Sequence, residues 1–148
     1  MADRKNLPIW LANVLVPLVL GLAFYLAFRP SAIVSRSIYG MLGISPAALS
    51  LPEGVVSGFM RCWLCDMLWA YAFTSAAVLI LGHSRNGMIA AFIVSAVFFT
   101  GIELLQTAGV IYGTFDAWDI VAEIFAAALS LSVVYFVLKR RQHDEIQS

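Results

Sequence analysis

Four stretches of about 20 mostly apolar residues organise this chain, and that is the length an α-helix needs to cross a bilayer. The first runs from about Pro8 to Phe28, the second from about Trp63 to Leu81, ending at Gly82. The third runs from about Met88 to Ala108, ending at Gly109, and the fourth from about Ala117 to Leu138, stopping at Lys139-Arg140-Arg141. Only 12% of the residues are charged and 61% are hydrophobic, whereas a soluble domain carries about 25% charge. A soluble globular protein is thereby excluded. With 148 residues there is room for one compact bundle and no second domain. The expected fold is an all-α, polytopic, four-transmembrane-helix bundle, a single membrane domain over residues 1–148. Pro8 suits a first helical turn, and Pro17 should kink or loosen the first helix. That helix is longer than the apolar core of a signal peptide and lacks a small-x-small cleavage site before Arg29-Pro30, so it reads as a retained anchor.

Basic residues orient the bundle. With four spans both termini share a side, which then holds Arg4, Lys5, Arg85, Lys139, Arg140 and Arg141, against Arg29, Arg36 and Arg61 on the other. The excess of positive charge marks the cytoplasmic side, giving an N-in/C-in topology. The His83–Gly87 stretch reads as a tight cytoplasmic hairpin with Asn86-Gly87 as its turn signal. The segment from Arg29 to Arg61 is then external. Pro30, Pro46 and Pro52 break it, and its apolar patches fit an external amphipathic segment or a cap over the bundle mouth, with a plain loop as the alternative. The polar tail after Arg141 should fray. No basic stripe with interleaved aromatics occurs, which argues against a nucleic-acid partner. Oligomeric state leaves no mark in the sequence.

An acidic and amide set interrupts the apolar pattern: Glu103, Gln106, Asp116, Asp119 and Glu123. A carboxylate inside a bilayer costs several kcal/mol unless it is paired, protonated or facing water. Helical rise puts Glu103 about 8 Å and Glu123 about 9 Å below the outer surface. Gln106 lies one turn above Glu103, and Glu123 one turn below Asp119. Asp66, in the first turn of the second span with Trp69 at i+3, adds a third helix to the same layer. Asp116 and Asp119 also suit a helix N-terminus, and Asp116 is the expected N-cap, accepting from Trp118 or Asp119 N–H. Gly109 and Gly113 supply backbone freedom to the turn. Glu103 has no capping role available and is the strongest candidate. Two nearby carboxylates in a low dielectric repel, so one must hold a proton or both must share a cation.

The remaining chemistry-bearing residues carry less. Cys62-Trp63-Leu64-Cys65 is a CxxC, but at a membrane helix mouth it lacks the context of a redox motif, and two cysteines do not make a zinc site. His83 and His143 lie far along the chain from the carboxylates, so a histidine-based centre is unsupported. Trp10, Trp63, Trp69 and Trp118 fall near the expected interfaces, where tryptophan anchors, and Trp69 could also line the pocket. Small residues around Ala72–Ala77, Gly87–Ala91 and Ala126–Ser132 permit close helix packing.

The string Glu103-Leu104-Leu105-Gln106, then Gly113-Thr114-Phe115-Asp116, then Asp119-Ile120, resembles the hallmark of the VanZ-like membrane proteins. In that family an ExxQ on one helix precedes a turn ending in aspartate and a D-I-x-x-N start to the next helix. Asp66-Met67-Leu68-Trp69-Ala70-Tyr71 is similar to the D-x-L-W-A-[FY] segment of one branch. The family's arginine in the turn is replaced here by Gly113-Thr114, and its asparagine by Glu123. The pocket is thus more acidic than the family norm, which favours a cationic partner or a protonated carboxylate.

The resemblance implies a multi-pass protein of a bacterial cytoplasmic membrane, in a family linked through one member to tolerance of the glycopeptide teicoplanin. The leading expectation is a cell-envelope binding or accessory protein. Its outward pocket of Asp66, Trp69, Gln106 and Asp116 with Glu103, Asp119 and Glu123 would take a lipid-linked, cationic or antibiotic-related ligand. The expected partners are membrane lipids or a lipid-linked envelope precursor. The second expectation is a small intramembrane hydrolase or transferase with Glu103, Asp119 and Glu123 as catalytic acid and base. The third is a proton relay or transporter. No cofactor motif is evident, and a divalent cation on Glu103, Asp119 and Glu123 is the one metal arrangement these residues allow.

Overall fold

The computed structural model describes residues 7–45, 54–113 and 115–147, and every element among them is an α-helix. The order is α1 (Leu7–Phe28), α2 (Ile33–Leu42), α3 (Val55–Cys62), α4 (Leu64–Leu81), α5 (Arg85–Thr107) and α6 (Ala117–Gln147). Four of them, α1, α4, α5 and α6, are long and apolar enough to cross a membrane. They match the four predicted spans to within three residues at every end except the last. Arg4, Lys5, Pro46, Pro52 and Thr114 lie outside the described residues.

α4 is the hub. It packs against α1, α5 and α6 and takes the short α3 at its start, whereas α1 rests chiefly on α4. α4 is accordingly the most enclosed span and α1 the least. The reason lies in side-chain size. Ala70, Ala72 and Ala77 of α4, Ala91 of α5, and Ala126 and Ala127 of α6 are buried, with Val78, Phe99 and Val134 filling the gaps between them. Small residues let helix axes approach, which is how bundles pack where lipid offers no hydrophobic contrast. Leu15, Val16 and Val19 of α1, Ile93 and Val97 of α5, and Phe125 and Phe136 of α6 point outward, as lipid-facing positions do.

Side-chain hydrogen bonds pin these contacts. Tyr71 Oη donates to Asn13 Oδ1 at 2.7 Å, and Asn13 Nδ2 donates to Ser75 Oγ at 3.2 Å. Ser75 Oγ also meets Ser130 Oγ at 2.8 Å, so one chain of bonds joins α1, α4 and α6. Thr74 Oγ1 donates to Ser95 Oγ at 2.9 Å, joining α4 to α5. Each interhelical bond of this kind contributes about 0.6 kcal/mol in a membrane, rarely more than about 1.7. Their value here is also in register, because they fix which turns face one another.

The structure departs from the sequence reading at two helix ends. Asn86 and Gly87 lie in the first turn of α5 rather than in the connecting turn, which is Gly82–Ser84. Ser84 is the N-cap, accepting from Gly87 N–H at 3.2 Å, and this starts the helix three residues earlier than predicted. Gly87 is required for a steric reason: a Cβ there would sit 2.7 Å from Leu81 O and 2.9 Å from the Gly82 carbonyl carbon. Gly87→Val is therefore expected to lose about 2 kcal/mol or more of stability, read as a lower unfolding midpoint in detergent. At the other end, α6 does not stop at Lys139 but continues to Gln147. Lys, Arg and Gln are good helix formers, and no glycine or proline follows to end the helix.

The segment between α1 and α4 forms two helices rather than one stretch. α2 is amphipathic, with Ser35 buried and Ile33, Met41 and Leu42 exposed. It folds back toward α1, where Tyr39 Oη donates to Leu26 O at 3.1 Å. Ala32, Ile33 and Val34, at its start, line a cavity shared with the bundle.

Candidate functional site

The turn between α5 and α6 is built around Glu103. This residue lies one turn from the end of α5 and is buried. Its Oε2 accepts the backbone N–H of Asp116 at 3.3 Å. Asp116 in turn accepts Trp118 N–H on Oδ1 at 2.9 Å, the N-cap expected from sequence. The chain closes α5 with Gly109 at φ 69° and turns back through Gly113, which packs against the Gln106 side chain. Glu103 therefore holds the start of α6, and Asp116 caps it.

A cavity of about 690 Å³ opens beside this turn. Asp66 from α4, Glu103 and Gln106 from α5, and Asp119 and Glu123 from α6 all line it, as does Trp69. The structure thus brings together six of the seven residues that the sequence singled out. Asp116 is the exception. It is absent from the lining because its carboxylate turns to the α6 N-terminus, and only its backbone serves the site, through Glu103. Asp116→Ala is expected to cost about 1 kcal/mol of stability through loss of the cap. Asp116→Asn should restore it, and the Glu103 bond persists in both because the donor is main chain. Unfolding midpoints of the two variants check this.

Sequence reasoning missed the contribution of α1. Arg29 and Tyr25 line the cavity. Arg29 lies 3.9 Å from Asp66, donates to the Cys62 carbonyl at 3.3 Å, and stacks 5.9 Å over the Tyr25 ring. The Tyr25 ring is 6.1 Å from that of Trp69. Trp69 reaches this position because Gly21 leaves space for it, since a Cβ at Gly21 would come 2.6 Å from the indole Nε1. The available signal was the i, i+4 spacing of Tyr25 and Arg29 at the end of α1, level with Asp66 across the bundle.

The electrostatics are lopsided. Among the described residues, four carboxylates line the cavity against one guanidinium. Glu123 is 6% exposed, and its Oε2 is buried without a hydrogen-bond partner among the described residues. A buried acceptor of that kind is costly, on the order of 1–3 kcal/mol and more if charged. Among the described residues no three His, Cys, Asp or Glu side chains converge closely enough to hold a metal ion, so Glu103, Asp119 and Glu123 would have to draw together to do so. Cys62 is exposed, Cys65 is buried, and both thiols are free. His83 lines a separate groove with Arg85, between α5 and α6. No protein-family model matches the chain, and no curated protein or solved structure matches it.

Proposed function

We propose that this protein is a binding or accessory component of a bacterial cell envelope, with its carboxylate-lined cavity open to the outer face of the cytoplasmic membrane. One observation carries the reading: Glu123 lines a cavity with three other carboxylates, and its Oε2 is buried with no hydrogen-bond partner among the described residues. Intramembrane acids persist where a ligand or partner uses them. The excess of basic residues on the side of the two termini supports the outward orientation. The VanZ-like pattern of Glu103, Gln106, Asp116 and Asp119 supports an envelope role and a link to glycopeptide tolerance. The ligand is a lipid-linked or cationic group rather than an anion, because the wall is predominantly acidic.

The test is complementation of a deletion strain with wild-type protein or Glu103→Gln, scored by glycopeptide susceptibility and by mass-spectrometric profiling of lipid-linked precursors. Glu103→Gln is expected to lose complementation at unchanged membrane abundance. Full complementation would remove the basis for the pocket. Turnover of a precursor by the purified wild type would instead point to the acid–base reading of the same carboxylates.

A further inference from the structure

We infer that the cavity takes a zwitterionic head group, a primary ammonium beside a phosphate, carried on a membrane lipid. This rests on the binding reading above and narrows it to one chemistry. The argument begins with charge. A simple cation would be drawn to the four carboxylates but would also meet Arg29, the one basic side chain among the described lining residues. A simple anion would meet the carboxylates. A ligand with both signs close together satisfies both walls.

The second step concerns which cation. Glu123 Oε2 is buried and meets no N–H or O–H donor among the described residues, so a donor brought by a ligand would complete it. A quaternary ammonium has no N–H and would leave that oxygen buried and unpaired. A primary ammonium has three donors. It can bond Glu123 while the Trp69 ring offers the kind of aromatic face that cations favour. The third step concerns the anion. Arg29 sits at the rim, its side chain 41% exposed, and a guanidinium matches phosphate geometry better than any other side chain. The fourth concerns the source. Ile33 and Val34 line the same cavity and are exposed, as are the outer faces of the spans, so acyl chains would leave the site over apolar surface. The volume of about 690 Å³ lies within the range of small-molecule sites, roughly 300–1,000 Å³.

The experiment is native mass spectrometry of the full chain in detergent, titrated with phosphatidylethanolamine, phosphatidylcholine and phosphatidylglycerol of matched acyl chains, and separately with soluble phosphoethanolamine. Phosphatidylethanolamine is expected to bind on the order of tenfold more tightly than the other two lipids, the worth of one charge-assisted hydrogen bond. Glu123→Gln should erase the preference over phosphatidylcholine. Arg29→Gln should weaken both lipids alike, because they share the phosphate. Equal binding of phosphatidylethanolamine and phosphatidylcholine by the wild type would overturn the proposal, and this arm decides it even where a variant folds poorly. A preference that survives Glu123→Gln would also overturn it. Soluble phosphoethanolamine bound as tightly as the lipid would overturn the lipid source. If Glu103→Gln loses complementation while no head-group preference is found, the pocket stands and the head-group assignment alone falls.

Discussion

Glu123→Met is expected to stabilise the ligand-free protein by about 1–3 kcal/mol, the opposite of what most buried substitutions do. The wild-type side chain places a carboxylate oxygen where no donor reaches it. Methionine has similar length and bends to fit irregular space, and Phe99 and Ile102 on the same cavity wall give it apolar neighbours. The gain should appear as a higher unfolding midpoint in detergent, together with the loss of any stabilisation that added ligand gives the wild type. A midpoint that falls or stays level would mean that Glu123 contributes to the fold, and the site would lose its strongest anchor. Stability withheld in this way is a common feature of functional sites.

Ser75→Leu is expected to do the reverse, with a loss of about 3 kcal/mol or more. Ser75 is wholly buried, and its Oγ sits between Asn13 and Ser130. Leucine removes both bonds, orphans the Asn13 amide, and forces α6 away from α4. Overpacking costs about 1–3 kcal/mol and each lost interhelical bond about 0.6. Ser75→Ala deletes the bonds without the clash and should cost less than half as much. Comparing the two midpoints separates packing from hydrogen bonding, and equal losses would mean that the helices are not in close contact there.

The spans were legible because hydrophobic length alone defines them, and the carboxylates because each stands out against lipid-soluble neighbours. Helical rise sets the level of a side chain along its own helix, and Asp66, Glu103, Asp119 and Glu123 line one cavity. Rotation about the helix axis did not follow, and it decides partners. Arg29 could be read as a topological charge because nothing in the sequence says that its guanidinium reaches Asp66. Asn13 was overlooked for the same reason, since one amide in an apolar run acquires meaning only when Tyr71 and Ser75 face it. Asn86-Gly87 misled because the pair is a turn signal in isolation, whereas Ser84 offered a better cap two residues earlier. Gly21 carried no signal at all, being one small residue in a long apolar helix until Trp69 is laid across it.

The way α1 is fastened links its seating to the cavity. Its hydrogen-bonded pin at Asn13 lies about 24 Å along the helix from Arg29, with Pro17 between them depriving one turn of its backbone bond. At the far end α1 is held partly by residues of the cavity itself, through Arg29 with Asp66 and the Cys62 carbonyl, and Trp69 against Gly21. Tyr39 of α2 also bonds the Leu26 carbonyl there, so the seating of this end of α1 on α4 depends in part on side chains that line the cavity. A ligand that bears on Arg29 or Trp69 would therefore act on the seating of α1 as well as on the cavity.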